Sequence, residues 1–303
     1  MARALRIEFK SAFYHVISRG QERKEIFKSI GDRQRFLEFL EEATEKFQIR
    51  IYSYCLMENH YHFLIETLDS NLSKAMKFIN GGYATYFNAK WKRVGHLFAS
   101  RYKAILVDQE SYLLELSRYI HLNPVRANIV DKPEKFKWSS YQEFLGQRKT
   151  DWLKSEWLLK IFGINMDTAR QKYQEFVEKG IHSKAKDPFK EIVAGMILGK
   201  KTYVDYVKSK ITPDQWRSNQ FSEIRKLKEY PTLEEIERIV KAQTKFSTKE
   251  KRNIAIYLSY KLSGKKLKEI GEYFGGIKEA AVSLSVKKTS LKWQGVASLN
   301  FKN

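Results

Sequence analysis

Residues 50–67 read RIYSYCLMENHYHFLIET, and this stretch decides the fold of the N-terminal half of the chain. Two runs rich in β-branched and aromatic residues are separated only by Glu58 and Asn59, a spacing that predicts two strands joined by a tight turn. Side chains two positions apart on a strand point to the same face, so His60 and His62 project together. The apolar residues between and after them then point into a core.

Strand and helix patterns alternate on both sides of this hairpin. The predicted elements are strands at 13–19, 50–57, 60–67 and 97–108 and helices beginning at 31, 71 and 111, the last of them ended by Pro124. The order strand, helix, strand, strand, helix, strand is the split βαβ, ferredoxin-like arrangement. The predicted fold class is therefore α+β, with an antiparallel sheet that carries helices on one face and leaves the other face open to a ligand.

The chain divides by pattern into three segments: a ferredoxin-like domain at 1–147, a helical connecting region at 148–235 and an all-α domain at 236–303. Within the connecting region, the run KEIVAGMIL at 190–198 is among the segments predicted to be helical. No stretch approaches the ~20 apolar residues that a membrane span needs, so we expect no membrane partner.

The segment 236–303 supplies +10 of the net charge of the chain. Two short predicted helices are joined at Gly275 and Gly276, and lysines follow them. This pattern is typical of a helix-turn-helix, although an ordinary helical hairpin has it too. In the helix-turn-helix interpretation, the contacts to duplex DNA come from Lys278, Lys287 and Lys288.

Composition favours a polyanionic partner. The 303 residues contain 56 Lys and Arg against 35 Asp and Glu, a net charge of +21, and such an excess most often serves nucleic acid. The single cysteine, Cys55, excludes an intrachain disulfide and a cysteine-based zinc site. A chain with one thiol and no apolar signal-peptide core at its start suits the cytoplasm.

A second group of polar residues lies on the helix predicted after residue 111. Tyr119 and Asn123 are four residues apart and so share a helical face. An amide oxygen is a hard ligand that suits Mg²⁺ or Mn²⁺, and two imidazoles on one strand face can chelate a divalent cation. A tyrosine phenol can attack phosphorus when the phosphate is polarised. The plainer interpretation is an incidental histidine pair and a packing tyrosine.

Several separated segments resemble one family. The run HYH at 60–62 matches the motif of the HUH nucleases, and YIHLNPVRA at 119–127 is similar to the single-tyrosine, IS200-like transposases, in particular the REP-associated branch. Residues 13–20, FYHVISRG, also resemble that family, as do RYKAILV at 101–107 and WSSY at 138–141.

The resemblance implies a ferredoxin-like catalytic domain that cleaves single-stranded DNA at hairpin ends with Mg²⁺ or Mn²⁺. It implies that Tyr119 is the nucleophile, that it becomes linked to a 5′-phosphate, and that a 3′-hydroxyl later rejoins the DNA. It assigns His60 and His62 as metal ligands and Asn123 as the side chain that completes the site. A monomer and a homodimer both remain open.

Cations near the expected site are candidates for phosphate contacts. They are Arg19, Arg101, Lys103 and Arg126. The C-terminal segment resembles the DNA-binding domain of the replication initiator DnaA over 254–288, which implies that its last helix enters a major groove. The run IKEAA at 277–281 departs from the polar signature of that family, so the resemblance does not carry over the initiator's target sequence.

Three other functions remain open beside a transposase. A domesticated relative would bind DNA hairpins or regulate a promoter without turnover. An RNA-binding protein would use the open sheet face. A zinc hydrolase would need a third and fourth ligand that the spacing does not offer. Among the other histidines, His121 points away from Tyr119, His15 either packs or touches DNA, and His96 and His182 are predicted in loops.

Overall fold

A computed structural model describes residues 7–182, 188–212, 224, 227 and 230–292. The chain divides into two compact units, Met1–Leu227 and Lys228–Asn303, and the division lies inside the predicted connecting region 148–235. Each unit has its own hydrophobic core and is described by itself. Within the described residues, no helix is both long and apolar enough to cross a membrane.

The first unit is built on a five-stranded sheet. Its strands are β1 (Ala12–Arg19), β2 (Ile49–Leu56), β3 (His60–Thr67), β4 (Lys103–Val107) and β5 (Ile197–Leu198). They lie in the order β2-β3-β1-β4-β5, and the first four pair antiparallel. This order of the first four strands confirms the ferredoxin-like, α+β prediction. The predicted fourth strand at 97–108 is shorter than expected, because regular pairing begins only at Lys103.

Two helices cover one face of this sheet, α1 (Ile30–Lys46) and α2 (Leu72–Lys90). A capping box fixes the start of α1, since the Ser29 hydroxyl accepts from the Asp32 amide and the Asp32 carboxylate accepts from the Ser29 amide. A Cβ atom added at Gly82 would lie 2.6 Å from the Phe39 ring, so this glycine lets α2 approach α1 closely. The core on this face includes Tyr61, Phe63 and Ile65.

The opposite face of the sheet is also covered, so the prediction of an open face is wrong. It carries α3 (Gln109–Arg126) and the later helices α4 (Tyr141–Phe144), α5 (Ser155–Leu159) and α6 (Met166–His182). The strands are apolar on both faces. Burial of the apolar side chains on this second face drives the packing of these helices against the sheet. The second core contains Phe13, Cys55, Leu64, Leu116, Ile120 and Tyr173.

Helix α3 continues through Pro124 to Arg126, so the prediction that Pro124 ends it is wrong. Proline lacks the amide that would bond to the carbonyl four residues earlier. The Asn123 side-chain amide donates to the carbonyls of Tyr119 (2.8 Å) and Ile120 (3.5 Å), and so supplies a donor near the gap. The helix is therefore long enough to carry Tyr119, Asn123 and Arg126 on neighbouring turns.

The run 190–198 is not helical as predicted. It contains the end of a 3-10 turn, Pro188–Glu191, and the strand β5, which pairs parallel to β4. Val193 and Ile197 exchange backbone hydrogen bonds of 2.8 and 3.1 Å around a turn in which Gly195 has a φ of 76°. The turn interrupts the helical pattern, because its apolar residues reach a lower free energy by pairing at the sheet edge than in a helix. Helix α7 (Lys201–Ser209) follows, and His182 ends α6 instead of lying in a loop.

The second unit is helical over its described residues. Its helices are α8 (Leu233–Lys241), α9 (Thr248–Leu262), α10 (Leu267–Tyr273) and α11 (Glu279–Lys292). A capping box is present at the start of α9, with the Ser247 hydroxyl and the Glu250 carboxylate as its members. Gly275 and Gly276, at φ values of 93° and 72°, make the turn between α10 and α11.

Candidate active site

Strand β3 presents His60 and His62 on the α3 side of the sheet, as predicted from their spacing. Their ring centroids are 5.0 Å apart, with His60 partly exposed and His62 buried. The Asn59 amide donates to the Arg23 carbonyl, so its Oδ1 accepts at 2.6 Å from His60 Nδ1. His60 therefore carries its proton on Nδ1, which leaves the Nε2 lone pair available to a ligand.

Nδ1 of His62 is engaged in a similar way. It lies 3.0 Å from Nε2 of His15, a fully buried residue of β1. Only Nε2 of His62 is then left for a cation, so the two imidazoles of β3 can bind through the same kind of atom. Metal-bound histidines in proteins usually use their second nitrogen in this way, to bond to a neighbouring group.

The Tyr119 ring lies against these imidazoles from helix α3. Its centroid is 5.9 Å from that of His62 and 6.1 Å from that of His15, both in edge-on geometry. The Arg126 guanidinium lies 4.7 Å from the centre of the Tyr119 ring. Asn123 lies one helical turn beyond Tyr119, and because its Nδ2 donates to backbone carbonyls, its Oδ1 is the atom that remains for a cation.

Electrostatics keep all three imidazoles neutral at neutral pH. Burial, and then the charge of Arg19, lower the pKa of His60 to about 4. Burial, and then Lys103, lower the pKa of His15 to about 3. The pKa of His62 lies well below its usual value, chiefly because of burial and then because of the other imidazoles and Arg19. Neutral imidazoles are the form that binds a metal.

The predicted phosphate-binding cations fall into three groups. Arg19 is paired with His60 in the β1–β3 register, Lys103 is paired with Ile17, the partner of His62, and Arg126 lies on Tyr119. Arg101 is exposed in the loop before β4. The remaining three, Lys278, Lys287 and Lys288, are exposed in the second unit.

Residues 8–123 match the family model described as "Transposase IS200 like". This segment of the chain is similar to the IS200-like transposases. The match begins just before β1 and ends at Asn123, so it includes His60, His62 and Tyr119.

One solved structure similar to this chain is that of a REP-associated tyrosine transposase bound to a REP hairpin. The identity is 15%, the TM-score is 0.41, and the similarity covers 50% of this chain and 91% of that chain. No curated protein matches the chain.

Two further residues lie near Tyr119 in the first unit: His15, for which the sequence left packing and DNA contact open, and Phe189, which the sequence did not single out. His15 has a weak signal, because alternation along β1 places it on the face that β3 uses for His62. Phe189 has none, since it follows the segment 8–123 by many residues. Its ring stacks on His15 at 4.9 Å and meets Tyr119 edge-on at 4.6 Å.

His121 is a structural residue of the segment 8–123, as its predicted orientation away from Tyr119 suggests. It is fully buried, with Nδ1 at 2.8 Å from the Tyr173 hydroxyl and Nε2 at 2.8 Å from the Ser140 hydroxyl. These bonds tie α3 to α6 and to the segment before α4. Burial lowers the pKa of His121 to about 3.

Acid should therefore weaken folding through His121. The unfolded chain takes up a proton near pH 6.5 and the folded chain does not, so stability falls by about 1.4 kcal/mol per pH unit below 6.5. Denaturant unfolding at pH 7.5 and pH 5 measures this loss. His121→Gln, which keeps a polar group and cannot titrate, should lose about 2 kcal/mol less than the wild type over that range. An equal loss of the free energy of unfolding in the two proteins would contradict the low pKa of His121 in the folded chain.

Proposed function

We propose that this chain is a tyrosine DNA nuclease and strand transferase, a transposase that acts on single-stranded DNA with hairpin ends. The observation that carries the proposal is the position of the Tyr119 ring, edge-on to His62, whose ring centroid lies 5.0 Å from that of His60 in the same chain. A tyrosine, two neutral imidazoles and nearby cations form the set that metal-assisted phosphoryl transfer needs. The family match of residues 8–123 supports it independently.

Tyr119 acts as the nucleophile. Its phenol oxygen forms a bond to the scissile phosphorus while the bond from phosphorus to the 3′ oxygen breaks. The phenol proton is released to water and the 3′ oxygen takes up a proton from water, which leaves a 5′-phosphotyrosine and a 3′-hydroxyl. An unperturbed phenol has a pKa of about 10, so its oxygen needs help to lose the proton. The Arg126 guanidinium on the Tyr119 ring favours the negative charge that develops there. Attack by a 3′-hydroxyl on the phosphotyrosine reverses these bond changes and rejoins the DNA.

The residues present fit a divalent cation. His60 offers Nε2, His62 offers Nε2 when its Nδ1 donates to His15, and Asn123 offers Oδ1. Two nitrogen ligands and one amide oxygen, with phosphate and water oxygens to complete the shell, suit Mn²⁺ or Mg²⁺. A bound Mg²⁺ or Mn²⁺ would supply Lewis-acid polarisation of the scissile phosphate. Arg19 and Lys103, beside the imidazoles, hold the neighbouring phosphates.

The same geometry favours a tyrosine that serves its own chain. Helix α3 is tied to its own sheet and to α6 through the buried bonds of His121 and through the pair Ser117 and Tyr173, whose hydroxyls lie 2.5 Å apart. Exchange of this helix with a second subunit would have to break these buried bonds. We therefore propose action within one subunit, in a monomer or a homodimer.

Alternative functions fit the molecule less well. An RNA-binding sheet of the expected kind needs an open face, and helices cover both faces here. Among the described residues, no cluster of three or more His, Cys, Asp or Glu side chains could hold a metal, which disfavours a zinc hydrolase. A domesticated DNA-binding protein would keep the same fold, so an experiment must separate it from the enzyme.

Covalent attachment to DNA provides that test. Single-stranded hairpin oligonucleotides from the DNA flanking the gene, labelled at either end, are incubated with the full chain and Mn²⁺ or Mg²⁺ and run on a denaturing protein gel. The enzyme should carry only the label from the DNA 3′ of the cut. Tight binding without any covalent species across the pool would favour the domesticated protein.

We also propose that the second unit binds duplex DNA through a helix-turn-helix. Two features support this: the glycine turn between α10 and α11, and the exposure of Lys278, Lys287 and Lys288. The unit is strongly basic, which suits the phosphate backbone.

Neutralising these three lysines should flatten the salt dependence of duplex binding. In the full chain, the combined change of Lys278, Lys287 and Lys288 to Gln removes up to three phosphate contacts, so the slope of log K against log salt should fall by about 2 to 3. Fluorescence anisotropy with a labelled duplex between 50 and 300 mM salt measures it. The control changes Lys241, Lys245 and Lys249 to Gln for the same loss of charge. Equal slopes in the two triple variants would remove α11 as the DNA-contacting helix.

A further inference from the structure

We propose that His15 is a positioning residue that sets the tautomer of His62 and thereby controls whether His62 can bind a cation. The inference rests on the proposed function, because it concerns the cation that His60 and His62 would hold. It assigns a role to a residue of β1 that lies outside the HUH motif itself. The physical basis is the bond of 3.0 Å between His15 Nε2 and His62 Nδ1.

A hydrogen bond between two neutral imidazole nitrogens contains one proton, which belongs to one ring or the other. If His62 donates from Nδ1, its Nε2 keeps a lone pair that can bind a cation. If His15 donates, the only proton of His62 lies on Nε2, and no lone pair faces outward. His62 is therefore a ligand only in the arrangement in which His15 accepts.

The surroundings of His15 favour one of these two arrangements. His15 is fully buried, and its Nδ1 has no hydrogen-bond partner among the described residues. When His15 accepts from His62, that Nδ1 carries an unpaired proton; when His15 donates, Nδ1 carries only an unpaired lone pair. An unpaired buried donor is the rarer of the two defects in proteins. Without a cation, the arrangement in which His15 donates is favoured, and cation binding reverses it.

Packing keeps His15 in the orientation that this exchange needs. Its ring lies edge to edge with the His62 ring and nearly parallel to it, with centroids 5.2 Å apart and planes at 13°, and Phe189 stacks on it at 4.9 Å and 21°. The three rings therefore restrict rotation of His15 about its side-chain bonds. Nε2 of His15 stays directed at His62, so the proton can change rings without a change in side-chain position.

The test compares two substitutions at one position in the full chain without DNA. His15→Gln keeps an amide oxygen that can accept near the original Nε2, whereas His15→Leu keeps the volume and removes the acceptor. The loss of the EPR signal of free Mn²⁺ measures binding. The affinity for Mn²⁺ should fall about 10- to 100-fold in His15→Leu. The Gln variant should recover most of the affinity. Thermal unfolding of each variant first establishes that it is folded under these conditions.

A spectroscopic measurement separates positioning from a purely structural role. In long-range ¹H–¹⁵N NMR spectra of the histidine-labelled wild type, Mg²⁺ should move the His62 proton from Nε2 to Nδ1. The inference is overturned if the wild type forms the covalent DNA species while His15→Leu binds Mn²⁺ as tightly as the wild type, or if the His62 tautomer does not change with Mg²⁺. A wild type that neither binds Mn²⁺ nor attaches to DNA would instead overturn the proposed function.

Discussion

Tyr119→Phe should abolish the covalent protein–DNA species and leave hairpin binding nearly unchanged. The substitution removes one oxygen atom and keeps the ring, so its edge-on contacts with His62 and Phe189 and its contact with Arg126 all remain possible. Binding depends on cations and stacking, which the variant retains, whereas attachment needs the lost oxygen. Gel assay of attachment and anisotropy of hairpin binding, on the same protein preparation, measure the two effects.

Tyr112→Phe provides the matched control. Tyr112 lies on the same helix, two turns before Tyr119, and its hydroxyl donates to Glu191 at 2.5 Å. This change removes an equivalent oxygen from α3 outside the imidazole cluster, so attachment should persist. Attachment that survives in Tyr119→Phe would remove Tyr119 as the nucleophile, and another tyrosine would have to be sought.

The double change of His60 and His62 to Ala should reduce metal-dependent cleavage by a factor on the order of 1,000 or more. Lewis-acid stabilisation of a phosphoryl group contributes several kcal/mol, and each 1.36 kcal/mol corresponds to about tenfold in rate. Mn²⁺ binding should be lost in parallel, which links the loss of rate to the cation. Single-turnover cleavage of a labelled hairpin at several Mn²⁺ concentrations measures both the rate constant of cleavage and the apparent dissociation constant of Mn²⁺.

His96→Ala controls for the loss of a histidine, because His96 is exposed in a loop. It should cleave like the wild type. Since His62 is buried, the double variant also needs an unfolding curve to establish that it is folded under assay conditions. Unchanged cleavage in the folded double variant would contradict the metal site. Mixing it with Tyr119→Phe should restore no attachment if, as we propose, the tyrosine and the imidazoles act within one chain.

The parts of the fold that local pattern dictates were predictable. Alternation along 50–67 determined the β2–β3 hairpin and the shared face of His60 and His62, because strand side chains repeat every two residues. Helical spacing likewise related Tyr119 to Asn123. The order of the elements predicted the ferredoxin-like sheet, and the match of residues 8–123 confirms the family resemblance in that segment.

Other features depend on contacts between residues that are distant in sequence. The sequence shows that the strands are apolar, but only the packed structure shows that α3 and α5 cover the second face. The pattern at 190–198 suits a helix, and pairing with β4 overrides that preference, since the free energy of tertiary contacts exceeds the small differences in propensity.

The candidate site shows the same division. The sequence by itself determined which residue types lie together locally: the His60 and His62 pair on one strand, and Tyr119 with Asn123 on one helix. Only the tertiary structure decided that Tyr119 meets His62, that His15 bonds to His62 across 47 residues, and that Phe189 stacks on His15. The reason is that periodicity orients side chains within an element, whereas the partner that each side chain meets depends on how whole elements bury their apolar faces against one another.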